Sequence, residues 1–493
     1  EAWVYAPALR TMADSGPGLL PSSLDPSLSR GHPLMFHFLG SSWILLFGNS
    51  VLAMHSFALA LSICSIVLLF AFLNAQGNAW IALFTSAGYL LAQEVFRIQG
   101  IMVLPEIMLG IWITGLLWAL KAEKNWCIFV FLSLGLLSKE SFIPIALALF
   151  FVQVIVVIRN NSSKNRSLLL AFIGGFLCLF GFFFIQKIQQ GWWLYPLHQG
   201  MIELDTWQFA YKLKEALGFV LWKQNRWIIT LLFFSLSIAY LIKQKSKLGF
   251  GLFLISLVFL YRNLIEESVH TDFLSYFLLA SIAGLMISSL VKLAGKENHQ
   301  NEYFSLSLIL IASAYLIFSS INFFTERYLM VLFPILAIGL FQLANSSVFR
   351  DKNYPIILIG IALLGNAFIP IPKTKIDDVS KGGLDAISAQ QQALFFLSEI
   401  AKTNDGIMGP FLIQTAIRDP GQGYLPNTCK EAFTNTHGLP IDSEDKFLVL
   451  TNWEKFNLEN DSIQFKQFEP VFEVEQGLAK VEILKRIHPN QTK

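Results

Sequence analysis

The sequence predicts a polytopic α-helical membrane protein that carries a small C-terminal α/β domain on the outer side of the bilayer. Three observations predict it. Only 14% of the 493 residues are charged, about half the share of an ordinary soluble domain. Hydrophobic residues make up 54%, with 45 Phe and 12 Trp, and mean hydropathy is +0.55. Charge then returns abruptly near the end: the last 123 residues hold 13 Lys/Arg and 17 Asp/Glu. A net charge of +2 is too small for a nucleic-acid-binding face. Three of the four cysteines, Cys64, Cys127 and Cys178, sit in apolar stretches and Cys429 stands alone in polar sequence, which excludes a disulfide framework or a cysteine metal site.

A spanning helix needs roughly 20 apolar residues. Segments of that kind occur near 51–73, 101–120, 141–158, 167–186, 227–243, 272–293, 303–321, 328–345 and 354–370. Shorter ones near 79–92, 126–138 and 248–261 complete an in-and-out path of about twelve spans. Alternate loops carry the compact basic clusters, among them Lys121 and Lys124, Arg159 to Arg166, Lys243 to Lys247, Lys292 and Lys296, and Arg350 and Lys352. The positive-inside bias puts these loops in the cytoplasm. Residues 1–50, 93–100, 139–140, 187–226, 262–271 and 322–327 then face outward, as does the tail. The membrane domain is expected over 1–370 and the extracytoplasmic α/β domain over 371–493, with a helix at 385–402, a strand at 446–452 and a hairpin of 468–475 with 479–486. His437 and His488 look isolated there.

The first outer segment, 1–50, is too long for a plain connection. Its two weakly amphipathic pieces, 2–13 and 33–47, are expected to form helices lying in the outer interface. Glu1 opens the chain in the middle of what reads as a loop, so the chain is expected to be truncated at its start. Glu106 follows Pro105 at the outer mouth of a span. It is either a carboxylate solvated by headgroups or one facing an outward cavity, where it can act as acid, base or metal ligand. Lys139 and Arg327 oppose the charge bias, as do Arg97 and Arg30 in outer loops. They either snorkel toward headgroups or hold a lipid phosphate, which Arg grips bidentately. His32, before Pro33, is a metal or phosphate contact or a turn stabiliser, and His55 is expected to hydrogen-bond between helices. Gly174-Gly175 reads as close helix packing.

EAWVYAPALRTM followed by SRGHPLMFHFLGSSWILLFGNS resembles the first outer loop of the GT-C glycosyltransferases, above all the dolichyl-phosphate-mannose protein mannosyltransferase and aminoarabinose transferase superfamily. RIQGIMVLPEIMLGIW, LGLLSKES and ERYLMVLFP resemble later motifs of that group, in order, over about 340 residues. The resemblance implies an enzyme that takes a sugar from a polyprenyl-phosphate donor and passes it to a lipid, glycan or protein acceptor in one inverting displacement on the outer face. It implies catalytic carboxylates at Glu1, with an Asp just ahead of it, and at Glu106. It places Lys139, Arg327, Tyr328, Tyr5, His32 and Arg97 at the donor, with spans 272–345 forming part of a lipid groove. Gly31-His32-Pro33 stands where the family has Pro-Pro, and no clear acidic metal ligand precedes it, so a divalent cation has no site that the resemblance assigns. Membrane lipids are expected partners, nucleic acid is not, and the expected location is a bacterial inner membrane with the active face periplasmic. The alternative from another class is a non-catalytic flippase or transporter of lipid-linked sugars, whose inverted repeats and broken helices are not visible in the sequence.

Overall fold

The structure is a computed structural model that describes residues 5–200, 202, 205–243, 300–322, 324–346, 348–349, 353–371, 376–419, 423–425, 433–438, 444–454 and 467–487. It is mostly helical, with one small sheet in the C-terminal domain. Among the described residues, five helical segments are long and apolar enough to cross a bilayer: Val51–Asn74, Glu140–Arg159, Ser163–Gln190, Phe304–Ile321 and Glu326–Ala344. Shorter apolar helices occupy Met35–Phe47, Ala79–Ala92, Asn125–Leu136, Arg226–Ser237 and Tyr354–Phe368. The expected spans 248–261 and 272–293 lie outside the described residues.

Local chemistry sets the helix ends. The side chains of Ser50, Asn78, Ser162 and Asp205 each accept a backbone N–H from the first turn that follows. Pro144, Pro334 and Pro355 stand in first turns, where a missing N–H costs nothing. The expected 101–120 span starts late, at Glu106, because Pro105 ends a short non-helical stretch ahead of it. Residues 79–92 run as one rod with a π-turn at Phe84–Gly88. There Thr85 and Ser86 donate their hydroxyls back to the carbonyls of Ile81 and Ala82, at 2.7 and 2.5 Å.

The two amphipathic pieces of the first segment are helices, Tyr5–Ser15 and Met35–Phe47. Leu9, Phe36 and Ile44 on their inner faces pack with Met54, Phe57, Val103 and Met108 in one apolar cluster. Leu45, Leu46 and Phe47 stay exposed, an apolar end suited to a bilayer surface. Gly174 and Gly175 do allow close packing: a Cβ on Gly175 would stand 2.5 Å from Leu132 Cδ2 of the neighbouring helix.

The tail folds as read, with small shifts of boundary. Its helix is Lys381–Ile400, and its strands are β1 (Gly406–Met408), β2 (Thr436–His437), β3 (Asp445–Thr451), β4 (Phe468–Gln476) and β5 (Ala479–Arg486). The sheet order is β2-β1-β3-β5-β4. β1 pairs in parallel with β2 and β3, and the β4–β5 hairpin is antiparallel. Ala389, Ala393 and Leu397 of the helix pack on Phe447, Val449, Val481 and Ile483 of the sheet. The tail is tied to the membrane domain at several places. Arg10 holds Asp419 at 2.7 Å, Glu94 accepts the Lys381 N–H at 2.8 Å, and Gln99 donates to the Asp378 carbonyl.

Gly175→Val is expected to destabilise the protein by about 1–3 kcal/mol, the usual cost of overpacking. Gly181→Val, on the same helix with nothing within 4 Å of its Cβ position, is the control. Thermal unfolding in detergent compares them; equal midpoints would refute the close-packing account.

Candidate functional site

A cavity of about 1040 Å³ is built from two materials. Its apolar wall comes from Leu147 and Phe151 on the Ile143–Arg159 helix and from Ala314, Ile317 and Phe318 on the Gln300–Ile321 helix. Leu147, Phe151 and Ile317 keep 39%, 61% and 37% of their surface exposed, so the wall is reachable from outside the protein. The polar end gathers Tyr5, Arg30, His32, Lys139, Glu140, His198, Arg327, Tyr328 and Asp378. Such a space accepts a molecule with a long apolar chain and a charged head.

Lys139 is the centre of the polar end. It sits in extended backbone just before the 3-10 turn Glu140–Phe142 and is buried. Its Nζ donates to Glu106 Oε1 at 2.8 Å and lies 4.3 Å from the centroid of the Tyr328 ring. Glu106 is the first residue of its helix, where the helix dipole favours a carboxylate. Its second oxygen, Oε2, is buried and has no hydrogen bond among the described residues. Burial works against the Lys139 ammonium, but the Glu106 carboxylate outweighs it and holds the Lys139 pKa above its usual value. Burial pushes the Tyr5 phenol up to about 12, so Tyr5 stays a neutral hydrogen-bonding group.

Arg327 also lies against Tyr328, its guanidinium 5.4 Å from the ring centroid. It donates to Asp378 Oδ2 at 2.8 Å, while its buried Nε makes no hydrogen bond among the described residues. Tyr315 fixes this segment by donating its hydroxyl to the Tyr328 carbonyl at 3.1 Å. Burial, against the pull of Arg327, leaves the Asp378 carboxyl above its usual range. Asp378 thus pairs with the Arg327 cation through a carboxylate that is itself partly exposed. A bound phosphate can take its place on Arg327, since both present oxygens to the same fork.

Beside them, His32 Nδ1 and Glu140 Oε2 are 2.6 Å apart, and His198 Nδ1 lies 3.9 Å from Glu140 Oε1. The two imidazole centroids are 4.8 Å apart. Burial, then the neighbouring His32, pushes His198 down to about 4, which keeps it neutral at neutral pH. Gly31 makes this approach workable: at φ 71°, its Cβ position lies 2.8 Å from both Trp192 and the Tyr195 Cβ.

The structure therefore gathers Tyr5, His32, Lys139, Arg327 and Tyr328 around one cavity. Other expectations need correction. Glu106 does not face the cavity; it is 2% exposed and buried behind Lys139, because the ammonium needs a counter-ion more than the cavity needs a second acid. Arg97 is exposed on the short helix Glu94–Gln99 and lies outside the cavity lining, because the buried faces of that helix carry Val95, Phe96 and Ile98. Glu1 and His488 lie outside the described residues. His437 is not isolated: its Nε2 is 2.7 Å from the buried Asp445 Oδ1, because β2 and β3 both flank β1. His55, expected to bridge helices, instead has its Nδ1 2.5 Å from the carbonyl of Ile101, in the turn after the Glu94–Gln99 helix. A metal-capable trio, His32, Glu140 and His198, does exist where none could be assigned. Sequence reasoning missed Glu140, His198 and Asp378 as members of one site. Lys139-Glu140 stood in plain view as an outer charged pair, whereas nothing local marks His198 or Asp378.

Compared with known proteins, the chain matches no family model and no curated protein.

The pair at the centre is asymmetric, and stability reads this directly. Lys139→Met strands the Glu106 carboxylate in the interior, a change worth about 3–5 kcal/mol for a buried pair. Glu106→Gln leaves an ammonium that borders the cavity and can hydrate, so it is expected to cost less. Thermal unfolding in detergent ranks the two; the reverse order would contradict this geometry.

Proposed function

We propose that this protein is a membrane glycosyltransferase that draws its sugar from a polyprenyl-phosphate donor, on a GT-C-like fold of about twelve spans. The observation that carries the proposal is the cavity itself, with an apolar wall reachable from outside the protein and Lys139, Arg327 and Tyr328 at its polar end. The polyprenyl chain lies along Leu147, Phe151 and Phe318, and the phosphate displaces Asp378 from Arg327 and meets Lys139. An acceptor attacks the anomeric carbon, the carbon–oxygen bond to the phosphate breaks, and the departing polyprenyl phosphate is stabilised by the two cations. Glu106 acts through Lys139, holding its ammonium charged and in place. Deprotonation of the acceptor falls to the acidic pair expected around Glu1. The four motifs in order support the sugar chemistry, and the basic loops support an outward-facing site.

Sugar release from a panel of polyprenyl-phosphate sugars, in membranes bearing the protein, tests this. Donor consumption by the parent, lost in Arg327→Ala at equal expression, is the expected result. If the lipid binds yet no donor is consumed with any crude acceptor extract, the carrier alternative takes its place.

A further inference from the structure

We infer that His32, Glu140 and His198 form a binding site for a divalent transition-metal ion of the zinc class, with one coordination position open to the cavity. The site rests on its own geometry and does not depend on sugar transfer.

One ligand atom from each of the three residues lies within 4.8 Å of the others. Zinc bonds of about 2.0–2.1 Å in a tetrahedron place neighbouring ligand atoms roughly 3.4 Å apart. Glu140 meets His32 through Oε2 at 2.6 Å and His198 through Oε1 at 3.9 Å, distances on either side of that spacing, so small side-chain rotations are what an ion would require. The donor set decides the metal. Two imidazoles and one carboxylate suit zinc and its first-row neighbours, whereas magnesium and calcium prefer oxygen throughout.

The three residues come from chain positions far apart: the first outer loop, the turn after Lys139, and the short helix Pro196–Gln199. Packing independent of the trio holds these segments together. Gly31 lies against Trp192 and Tyr195, and the Tyr195 ring meets the His198 ring edge-on at 5.6 Å between centroids. Glu140 follows Lys139, which Glu106 anchors. Among the described residues the His198 ring makes no hydrogen bond, so its nitrogens have no competing task. All three side chains line the cavity, which leaves the fourth position for water or for an oxygen of whatever occupies that space. A bound dication beside Lys139 and Arg30 adds positive charge to the polar end.

The full-length protein, purified in detergent, freed of any polyhistidine tag and stripped with chelator, is titrated with zinc chloride alone. Calorimetry and elemental analysis are expected to give one zinc per chain, and zinc is expected to raise the unfolding midpoint. His198→Ala, partly exposed and without hydrogen bonds to lose, is expected to fold, to bind zinc roughly tenfold or more weakly, and to lose the midpoint shift. Glu140→Gln is expected to behave likewise, and Arg97→Ala to match the parent. No zinc retained by the parent, or the same affinity in parent and His198→Ala, overturns the site and leaves the trio a hydrogen-bonded strut. Neither result bears on donor consumption, which is measured separately.

Discussion

The buried ion pair between Lys139 and Glu106 is the constraint on which the rest of the site depends. A lone carboxylate in this interior would cost several kcal/mol, so Glu106 is not tenable without Lys139, whereas the Lys139 ammonium borders the cavity. Their 2.8 Å contact pins the start of the Glu106–Lys121 helix to the turn that follows residue 138. It also sets the ammonium under the face of Tyr328 and leaves it on the cavity lining. The pair is therefore one-sided. Its negative half faces protein and its positive half faces open space, which gives an anion a place to go.

The remaining charges follow a matching logic with looser partners. Arg327 is held by Asp378 of the segment that leads into the tail, and Arg10 by Asp419 within it. The C-terminal domain thus contributes a carboxylate to the cavity rather than standing apart from it. Asp378 is partly exposed, whereas Glu106 is sealed behind Lys139. The apolar wall needs no such precision. Exposed Leu147 and Phe151 only have to be greasy and reachable from outside the protein.

Much of this was legible in the sequence. Hydropathy located the helices at 51–74, 163–190 and 300–321, and alternation located the β4–β5 hairpin, because burial imposes those periods directly. Cations in loops expected to face outward drew attention to Lys139 and Arg327, because the cost of such placement makes these residues informative. The failures were also physical. Glu106 and Arg97 carried charge in outer positions, but side-chain direction decides which of them meets the cavity, and spacing does not encode it. His198 and Asp378 join the site only through tertiary packing, such as the contact of Gly31 with Trp192, which no local pattern announces. His437 found Asp445 for a similar reason, through the order of parallel strands.

The central claim is that Glu106 serves the polar end through Lys139 rather than by touching the ligand. A double-mutant cycle on the affinity for a sugar-free polyprenyl phosphate tests it most directly. The account predicts that Glu106→Gln weakens binding when Lys139 is present and has no further effect in the Lys139→Met background. An equal penalty in both backgrounds would mean that Glu106 meets the ligand itself, and would contradict the account.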